Sequence, residues 1–303
     1  MMPEAPFPMA IDSTMRAAFT SCPQKYYREY FQHWKRIEQS PDLVAGKAFA
    51  AGLEATRNAY WRDGITDPTE AIGLGVQALL EEWGDYEPPV DHVKSLDRMV
   101  GALDEYFTNY GFATDHLQPL MQEDKPAVEF SFALPIPDTR HPQTGEPILY
   151  TGRFDMLGLF NGSLFVVDEK TTKQLGPSWY KSWTLRSQFT GYCWAAKTYD
   201  YPVAGAIVRG ISILKTKYGH AESIQYRPDW FIDQWLHQLK RDIDRMIECW
   251  ESGYWDYNLD MACTHYGGCV FMDVCSHPRP DEQLRDNFQK RIWDPMERTE
   301  LPA

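Results

Sequence analysis

The sequence lacks any run of about 18 apolar residues, which is the minimum for a helix that spans a membrane. Its first ten residues, MMPEAPFPMA, also lack the basic region followed by an apolar stretch that marks a secretory signal. No internal repeat or low-complexity tract is present, which argues against a repeat protein. We therefore expect a cytoplasmic protein with no membrane partner.

Positive charge is also scarce, because 30 Lys and Arg residues stand against 43 Asp and Glu and give a net charge of −13. Nucleic-acid-binding proteins usually carry a basic surface, so this balance argues against extensive binding of nucleic acid. The segment from Arg153 to Lys217, however, contains nine basic and only four acidic residues. We interpret this local excess as a confined DNA track, with ordinary fluctuation of charge as the alternative.

The chain is nevertheless rich enough in apolar residues to fold, since 43% of its 303 residues are hydrophobic and 14% are aromatic. The stretch GRFDMLGLFNGSLFVVDEK, from Gly152 to Lys170, holds two short apolar runs that meet at Asn161-Gly162. Asn-Gly between β-favouring runs predicts a hairpin with a type I′ turn. Asp155 lies on the first predicted strand and Asp168 at the end of the second, and Lys170 faces the same side as Asp168.

Two carboxylates and a lysine on adjacent strands are what a metal-dependent phosphodiesterase needs. The aspartates would hold a divalent cation, which polarises the phosphate and lowers the pKa of a bound water. Lys170 would orient that water, help to deprotonate it, or stabilise charge in the transition state. A hairpin with solvated charges at its end is the alternative, and spacing alone does not decide between the two.

The sequence G-R-F-D, followed after a dozen residues by V-V-D-E-K-T-T, resembles motifs II and III of the PD-(D/E)XK nuclease superfamily. The similarity is to the RecB-like branch, which includes CRISPR-adaptation exonucleases, AddB subunits and phage-encoded exonucleases. It covers roughly residues 11–278. The resemblance implies an α/β fold with a restriction-endonuclease-like core, in which helices flank a mixed central sheet, with an N-terminal helical insertion and a C-terminal iron–sulfur clasp.

On this basis we expect one nuclease domain over residues 1–278 and a charged tail over 279–303. The domain would comprise a helical part at about 13–111, a catalytic sheet at about 126–226, and a C-terminal helix with the cysteine clasp at about 228–278. The tail would be a docking extension or loosely ordered.

Motif I of the family, G-x-x-x-H-x-x-L-E, is carried by a helix whose histidine binds metal. Gly46, Leu53 and Glu54 fit this pattern, but Ala50 stands where the histidine is expected. Glu54, one turn further on the same helix face, would supply a carboxylate instead, or is a plain surface residue. Glu129, on a predicted strand at 127–134, is a further candidate near the metal, with a strand-end charge as the alternative.

Gln188 and Tyr192, four residues apart on a helix predicted over about 179–199, resemble the Q-x-x-x-Y motif that lines the DNA path in the RecB-like branch. A polar pair that supports the sheet is the alternative. Lys173 and Arg186, from the basic segment, are expected to contact DNA as well. The aromatic residues Trp179, Tyr180 and Trp183 would either stack on unpaired bases or belong to the core.

Cysteine is rare but clustered, with Cys263, Cys269 and Cys275 inside a single loop. A cytosolic chain has little use for disulfides, so this spacing favours a metal. With Cys22, which precedes Pro23, the four thiolates match the one upstream and three downstream ligands of a 4Fe-4S cluster in the family. Zinc is the less favoured occupant, because its sites usually use closely paired cysteines. The less favoured alternative ligands are His265 and His277.

The resemblance thus implies a DNA exonuclease that uses Mg²⁺ or Mn²⁺, with Asp155, Asp168 and the backbone carbonyl of Glu169 at the metal and Lys170 at the attacking water. Glu54 and Glu129 are candidate additional ligands. A non-catalytic DNA-end or recombination factor that keeps the fold is the second hypothesis, and Ala50 is the residue that favours it.

Overall fold

The computed structural model describes residues 5–122, 125–264 and 268–297. The chain divides into two compact units, and each is composed of segments that are distant in sequence. The first unit contains Met1–Glu38, Ser131–Gly152 and Asp233–Ala303, and the second contains Gln39–Phe130 and Arg153–Ile232. A single nuclease domain over residues 1–278 stays a prediction.

Helices and strands both contribute to the fold, and the predicted mixed α/β class is confirmed. The helices are α1 (Ser13–Ser21), α2 (Pro23–Tyr26), α3 (Pro41–Arg57), α4 (Pro68–Trp83), α5 (Leu96–Asn109), α6 (Pro177–Thr184), α7 (Ser187–Thr198), α8 (Asp229–Ser252), α9 (Met261–Thr264), α10 (Met272–Ser276) and α11 (Pro280–Asn287). The strands are β1 (Ala10–Asp12), β2 (Trp34–Arg36), β3 (Leu117–Pro119), β4 (Met121–Gln122), β5 (Lys125–Pro126), β6 (Val128–Pro135), β7 (Leu149–Phe160), β8 (Ser163–Thr172), β9 (Val203–Ile213), β10 (Tyr218–Tyr226) and β11 (Phe288–Lys290). The π-helical turns Tyr27–Phe31 and Asn58–Arg62 follow α2 and α3.

The second unit is built on a mixed sheet in which β7, β8, β9 and β10 are neighbours in that order. The pairs β7–β8 and β9–β10 are antiparallel, whereas β8 and β9 are parallel and are connected through α6 and α7. The predicted hairpin is confirmed: Asn161 and Gly162 both have positive φ, at 49° and 76°, as a type I′ turn requires. The apolar runs on either side of this turn therefore became β7 and β8.

Helices α3, α4 and α5 cover this sheet, whereas α1 and α2, the first helices of the expected helical part at about 13–111, belong to the first unit. Leu53, Leu79 and Leu103, one from each helix, share a buried core with Ile211 of β9. The helices α3 and α4 approach each other closely, because a Cβ atom at Gly75 would lie only 1.8 Å from Thr56 Oγ1. A glycine is therefore required at this crossing.

The first unit joins the two ends of the chain. Strand β1 pairs in parallel with the first residues of β7, and β11 pairs with β2, so that Phe288 lies opposite Arg36. The Asp12 side chain caps α1 by accepting hydrogen bonds from the backbone N–H groups of Thr14 and Met15. Residues 280–290, within the segment expected to be a docking or loosely ordered tail, form α11 and β11.

One predicted helix is interrupted. The helix expected over residues 179–199 is two helices, α6 and α7, that separate at Leu185 and Arg186. The carbonyl of Trp183, near the end of α6, accepts hydrogen bonds of 3.2 Å from the backbone N–H of Arg186 and of 3.0 Å from the side chain of Arg227. Arg227 comes from a remote segment of the chain, so the local pattern does not include this contact.

Candidate active site

The hairpin brings the three expected catalytic side chains to the point where its two strands separate. The β7–β8 ladder ends at the pair Met156–Val167, so Asp155 and Asp168 lie just beyond the last paired residues. There the Oδ2 atom of Asp155 accepts a hydrogen bond of 2.8 Å from the backbone N–H of Glu169. The Asp155 carboxylate thus accepts the hydrogen bond that a backbone carbonyl of β7 would accept in a continuing ladder, and it connects β7 to β8.

Asp168 and Lys170 form an ion pair between Oδ2 and Nζ. Both residues are on β8, which stays paired with β9 through this region, with Asp168 opposite Val208 and Lys170 opposite Gly210. Strand β8 therefore stays hydrogen-bonded to β9 in this region, whereas β7 diverges from it. This arrangement leaves the pair Asp168–Lys170 beside the Asp155 carboxylate.

The electrostatics of the two aspartates favour an added cation. Burial raises the pKa of Asp155 well above its ordinary value, and the negative charges of Asp168 and Glu169 raise it further. Burial also raises the pKa of Asp168, against the opposing effect of Lys170. Buried carboxylates that repel one another are stabilised by a divalent cation, which prefers oxygen ligands. The donor set at the hairpin therefore fits Mg²⁺ or Mn²⁺.

Glu169, between the two key residues of β8, directs its side chain to a different set of partners. Its carboxylate is paired with the guanidinium of Arg57, which also donates to Tyr106 Oη over 3.1 Å. Tyr106 Oη in turn donates to Glu169 Oε1 over 2.9 Å. Burial raises the pKa of Glu169, but the charge and hydrogen bonds of Arg57 outweigh it and lower this pKa to about 2.

The contacts of Glu169 extend into a buried ionic network across the sheet. Arg209 of β9 donates to Tyr106 Oη over 3.3 Å, to Asp115 Oδ2 over 2.6 Å and to Glu222 Oε1 over 2.7 Å. Sequence reasoning missed Arg57, Tyr106 and Arg209. Only Glu169 itself indicated that such partners exist, because a buried carboxylate needs a cationic partner. The sequence does not say which arginine supplies the positive charge.

Glu54 and Glu129, the expected additional metal ligands, both bind Arg153 of the G-R-F-D segment. Arg153 Nη2 donates to Glu54 Oε2 over 2.8 Å, and Arg153 Nε pairs with Glu129 Oε2. Glu129 has a positive φ of 52°, a strained conformation for a non-glycine residue. Burial raises the pKa of Glu129 to about 7, against the effect of Arg153. A role for either glutamate at a metal stays a prediction.

Gln188 and Tyr192 contact each other on α7 as their spacing predicted, with Gln188 Nε2 donating to Tyr192 Oη over 2.9 Å. The Tyr192 ring packs 5.7 Å from the ring of Phe154, the residue before Asp155. Arg186, at the N-terminal cap of α7, lowers the pKa of Asp168 through its positive charge, although burial has the larger and opposite effect. Lys173 pairs with Asp42 over 3.3 Å.

The aromatic residues of α6 differ in exposure. Trp179 is buried against Gly210, where an added Cβ would lie 2.4 Å from its Cζ2 atom. Tyr180 is exposed. Trp179 therefore belongs to the core, which is the alternative that the sequence left open, and Tyr180 is the side chain accessible for stacking.

The four cysteines of the expected clasp all belong to the first unit, three in its C-terminal segment and Cys22 at the junction of α1 and α2. Cys22 Sγ accepts a hydrogen bond of 3.5 Å from the N–H of Asn258, and Cys269 N–H donates to the carbonyl of Cys263 over 2.8 Å. Burial raises the pKa of Cys275, and the thiols of Cys269 and Cys22 raise it further while Arg28 opposes them. His277 Nδ1 is engaged in a local turn with Arg279, and His265 lies outside the described residues.

Within residues 5–122, 125–264 and 268–297, no three His, Cys, Asp or Glu side chains form a group that could hold a metal ion by themselves. At the hairpin, two carboxylates are therefore the side-chain ligands that the geometry offers. The four-cysteine set stays a prediction. No helix in these ranges has the length and apolar character needed to cross a membrane.

Comparison with known proteins gives a family and similarities to solved structures. A family model described as the PD-(D/E)XK nuclease superfamily matches residues 14–276. A solved structure named "Crystal structure of SSO0001" is similar with a TM-score of 0.32 and 13% identity, over 77% of this chain and 95% of that chain. Curated protein sequences give no significant match.

Proposed function

Because the chain belongs to the PD-(D/E)XK nuclease superfamily, we propose that it is a metal-dependent DNA exonuclease that hydrolyses phosphodiester bonds. The observation that carries this proposal is the meeting of Asp155, Asp168 and Lys170 where β7 and β8 separate. The family accounts for phosphodiester hydrolysis, and the RecB-like motifs of the sequence favour action on DNA ends. The same resemblance favours a role in DNA recombination, repair or replication, as in the phage-encoded members of that branch.

Asp155 and Asp168 would hold Mg²⁺ or Mn²⁺, with the backbone carbonyl of Glu169 as a further oxygen ligand. The cation supplies a Lewis acid for the phosphate and lowers the pKa of a bound water. Asp155 is already fixed by the backbone N–H of Glu169, so its carboxylate keeps its orientation without a metal. This fixed orientation lowers the reorganisation needed during the reaction.

Lys170 would act at the attacking water or on the charge that develops on the phosphate. In the structure its ammonium is held by Asp168, and the negative charges of Asp168 and Asp155 raise its pKa although burial opposes them. A lysine with a raised pKa stays protonated at neutral pH. Lys170 would orient the water, help to deprotonate it, or stabilise charge on the phosphate.

The DNA strand would pass beside α7. Gln188 and Tyr192 form a hydrogen-bonded pair, and the Tyr192 ring packs against Phe154, the residue before Asp155. Arg186 adds positive charge near Asp168. Lys173 adds a further basic group just after the end of β8. These side chains would position the strand, so their loss should weaken binding of DNA more than the chemical step.

We also propose that Cys22, Cys263, Cys269 and Cys275 bind a 4Fe-4S cluster, with zinc as the less favoured occupant. Soft thiolates select iron–sulfur clusters or zinc. The support for this proposal is the number and spacing of the cysteines and the resemblance to the RecB-like branch. Its role would be structural, since its ligands come from opposite ends of the chain.

A second function is a DNA-binding factor without catalysis. The observation that favours it is Ala50, which lies on α3 one turn before Glu54, where the family has a metal-binding histidine. In addition, Glu54 is engaged by Arg153. The complete set Asp155, Asp168 and Lys170 favours the nuclease.

Digestion of end-labelled DNA separates these functions. We expect the purified protein to degrade linear single- or double-stranded DNA with Mn²⁺ and to leave closed circular DNA intact. Lys170→Ala should reduce the rate by at least about 100-fold, as expected when charge stabilisation is removed. Equal inertness of both proteins on every substrate would contradict the nuclease and favour the binding role, and rapid cutting of circles would exclude an exonuclease.

A further inference from the structure

A second cationic site lies next to the catalytic strand, and an acidic side chain occupies it. Asp42, in the first turn of α3, bridges two ammonium groups: Lys94 Nζ lies 2.9 Å from its Oδ1 atom and Lys173 Nζ lies 3.3 Å from its Oδ2 atom. Lys94 Nζ also donates to Thr171 Oγ1 over 3.0 Å. Two ammonium groups therefore hold one carboxylate, and one of them also donates to a hydroxyl group.

The members of this site differ in their freedom to move. The Lys94 side chain is only 3% exposed, whereas the Asp42 side chain is 51% exposed. A buried ammonium group needs a permanent anionic or polar partner, and Lys94 is almost fully shielded from solvent. Asp42 can rotate into water because half of its surface is already exposed, provided that another anion takes its place beside Lys94. The structure thus contains a fixed cation with an exchangeable anion.

The site is distinct from the catalytic centre but adjacent to it. Thr171 directly follows Lys170 on β8, and consecutive Cα atoms are about 3.8 Å apart. Successive side chains of a strand point to opposite faces, so Thr171 faces the side opposite to that of Asp168 and Lys170. A phosphate bound there would lie on the other side of β8 from the one that is cut.

We propose that Lys94, Thr171 and Lys173 form a subsite for a backbone phosphate of the nucleic acid, and that Asp42 occupies this subsite until the substrate displaces it. This inference rests on the proposed nuclease function. A carboxylate and a phosphate offer the same kind of charged oxygen acceptor to lysine, so Asp42 acts as an internal stand-in for the phosphate. Displacement converts a site of net charge +1 into one of +2, and the phosphate then neutralises part of this charge.

The test compares two variants that each release one lysine side chain from an aspartate. Asp42→Asn frees the subsite, and Asp229→Asn is the matched control, because Asp229 pairs with Lys197 elsewhere in the same unit. Both change the net charge by one. Binding of a fluorescent single-stranded oligonucleotide is measured by anisotropy in EDTA, which prevents metal-dependent cleavage, over a series of salt concentrations.

We expect Asp42→Asn to bind about three- to tenfold more tightly at low salt, with a salt dependence steeper by about 0.7 in the logarithmic slope, because one additional phosphate contact forms. Asp229→Asn should match the wild type. Lys173→Met should lower the slope by a similar amount, and Asp42→Asn should then have no effect in the Lys173→Met background. Equal binding by Asp42→Asn and Asp229→Asn would overturn the subsite, since Asp42 would then only connect α3 to β8.

Two controls keep the outcomes separate. Lys173 is half exposed, so its replacement does not threaten folding, whereas Lys94→Met is interpreted only if its thermal unfolding is unchanged. Inorganic phosphate is added at constant ionic strength, and loss of the Asp42→Asn gain at submillimolar phosphate would mean that the site takes the free anion, against the proposal. A wild type that neither binds nor cuts DNA refutes the nuclease function, while normal cutting with equal variants refutes the subsite alone.

Discussion

Among single residues, three consecutive side chains of β8 have different partners. Asp168 and Lys170 form the ion pair beside Asp155, whereas Glu169 is directed to Arg57 and Tyr106. The backbone of Glu169 nevertheless serves the site, because its N–H holds Asp155. The buried pair Arg57–Glu169 therefore stabilises the peptide on which the catalytic carboxylates depend.

Removal of Arg57 should be costly, because it leaves the buried carboxylate of Glu169 without its main counter-charge. We expect Arg57→Met to lower the free energy of unfolding by about 3 to 5 kcal/mol. The double variant Arg57→Met with Glu169→Leu should recover most of this loss, since an apolar pair needs no counter-charge. Urea denaturation measures both variants. A loss below about 1 kcal/mol for the single variant would show that Arg209 and Tyr106 suffice for Glu169.

Replacement of Asp155 should increase the stability of the protein while it decreases the nuclease activity. Asp155→Asn removes one of several repelling negative charges, but its side-chain oxygen can still accept the hydrogen bond from Glu169. We expect the metal-free protein to gain about 1 kcal/mol of stability, while Mn²⁺-dependent cleavage falls at least about 100-fold. Thermal unfolding in EDTA and a nuclease assay provide the two measurements. A less stable variant would mean that the carboxylates do not repel each other in the folded protein.

Among the helices and strands, the features that depend on nearby residues were predictable from the sequence. Asn161-Gly162 predicted the turn, and the aspartate pair followed from strand register. The contact of Arg227 with α6 and the partners of Glu169 were not predictable, because Arg227 and Arg57 come from remote segments. The alternation of side chains shows that Glu169 faces away from Asp168, but not which helix lies there.

The crossing of α3 and α4 offers a matched pair of glycines on one helix. A Cβ at Gly75 would lie 1.8 Å from Thr56 Oγ1 and 2.6 Å from the carbonyl of Gly52, whereas a Cβ at Gly73 meets nothing within 4 Å. Gly75→Ala should therefore destabilise by about 1 to 3 kcal/mol through overpacking. Gly73→Ala should stabilise by up to about 1 kcal/mol through helix propensity. Urea denaturation of both variants tests the crossing, and effects of the same sign would contradict it.

At the scale of the whole molecule, segments from both ends of the chain meet in one unit. Strand β11 pairs with β2, and Phe271, Val274, Leu284 and Phe288 form a small core that Trp34 and Cys269 join. The acidic net charge of −13 is compatible with a nuclease because basic residues outnumber acidic ones between Arg153 and Lys217. Binding of DNA would then be confined to the catalytic unit.

The proposed iron–sulfur cluster would join ligands that are distant in sequence. We expect protein purified without oxygen to contain about four iron atoms per chain and to be brown. Cys22→Ser should lose the iron and the colour and unfold at a lower temperature, whereas Cys193→Ala, at a buried thiol outside the set, should keep the iron. Iron analysis and visible absorbance provide the readout. A Cys22→Ser protein that folds normally and stays brown would contradict the cluster assignment.

The proposed nuclease activity requires that Asp155 and Asp168 share one divalent cation at the opening of the hairpin. An anomalous difference map from a crystal soaked in Mn²⁺ tests this directly. We expect a peak in contact with both carboxylates and with the carbonyl of Glu169, and no such peak in a crystal of Asp155→Asn. Full-occupancy Mn²⁺ bound elsewhere, with Asp155 and Asp168 left uncoordinated, would contradict it.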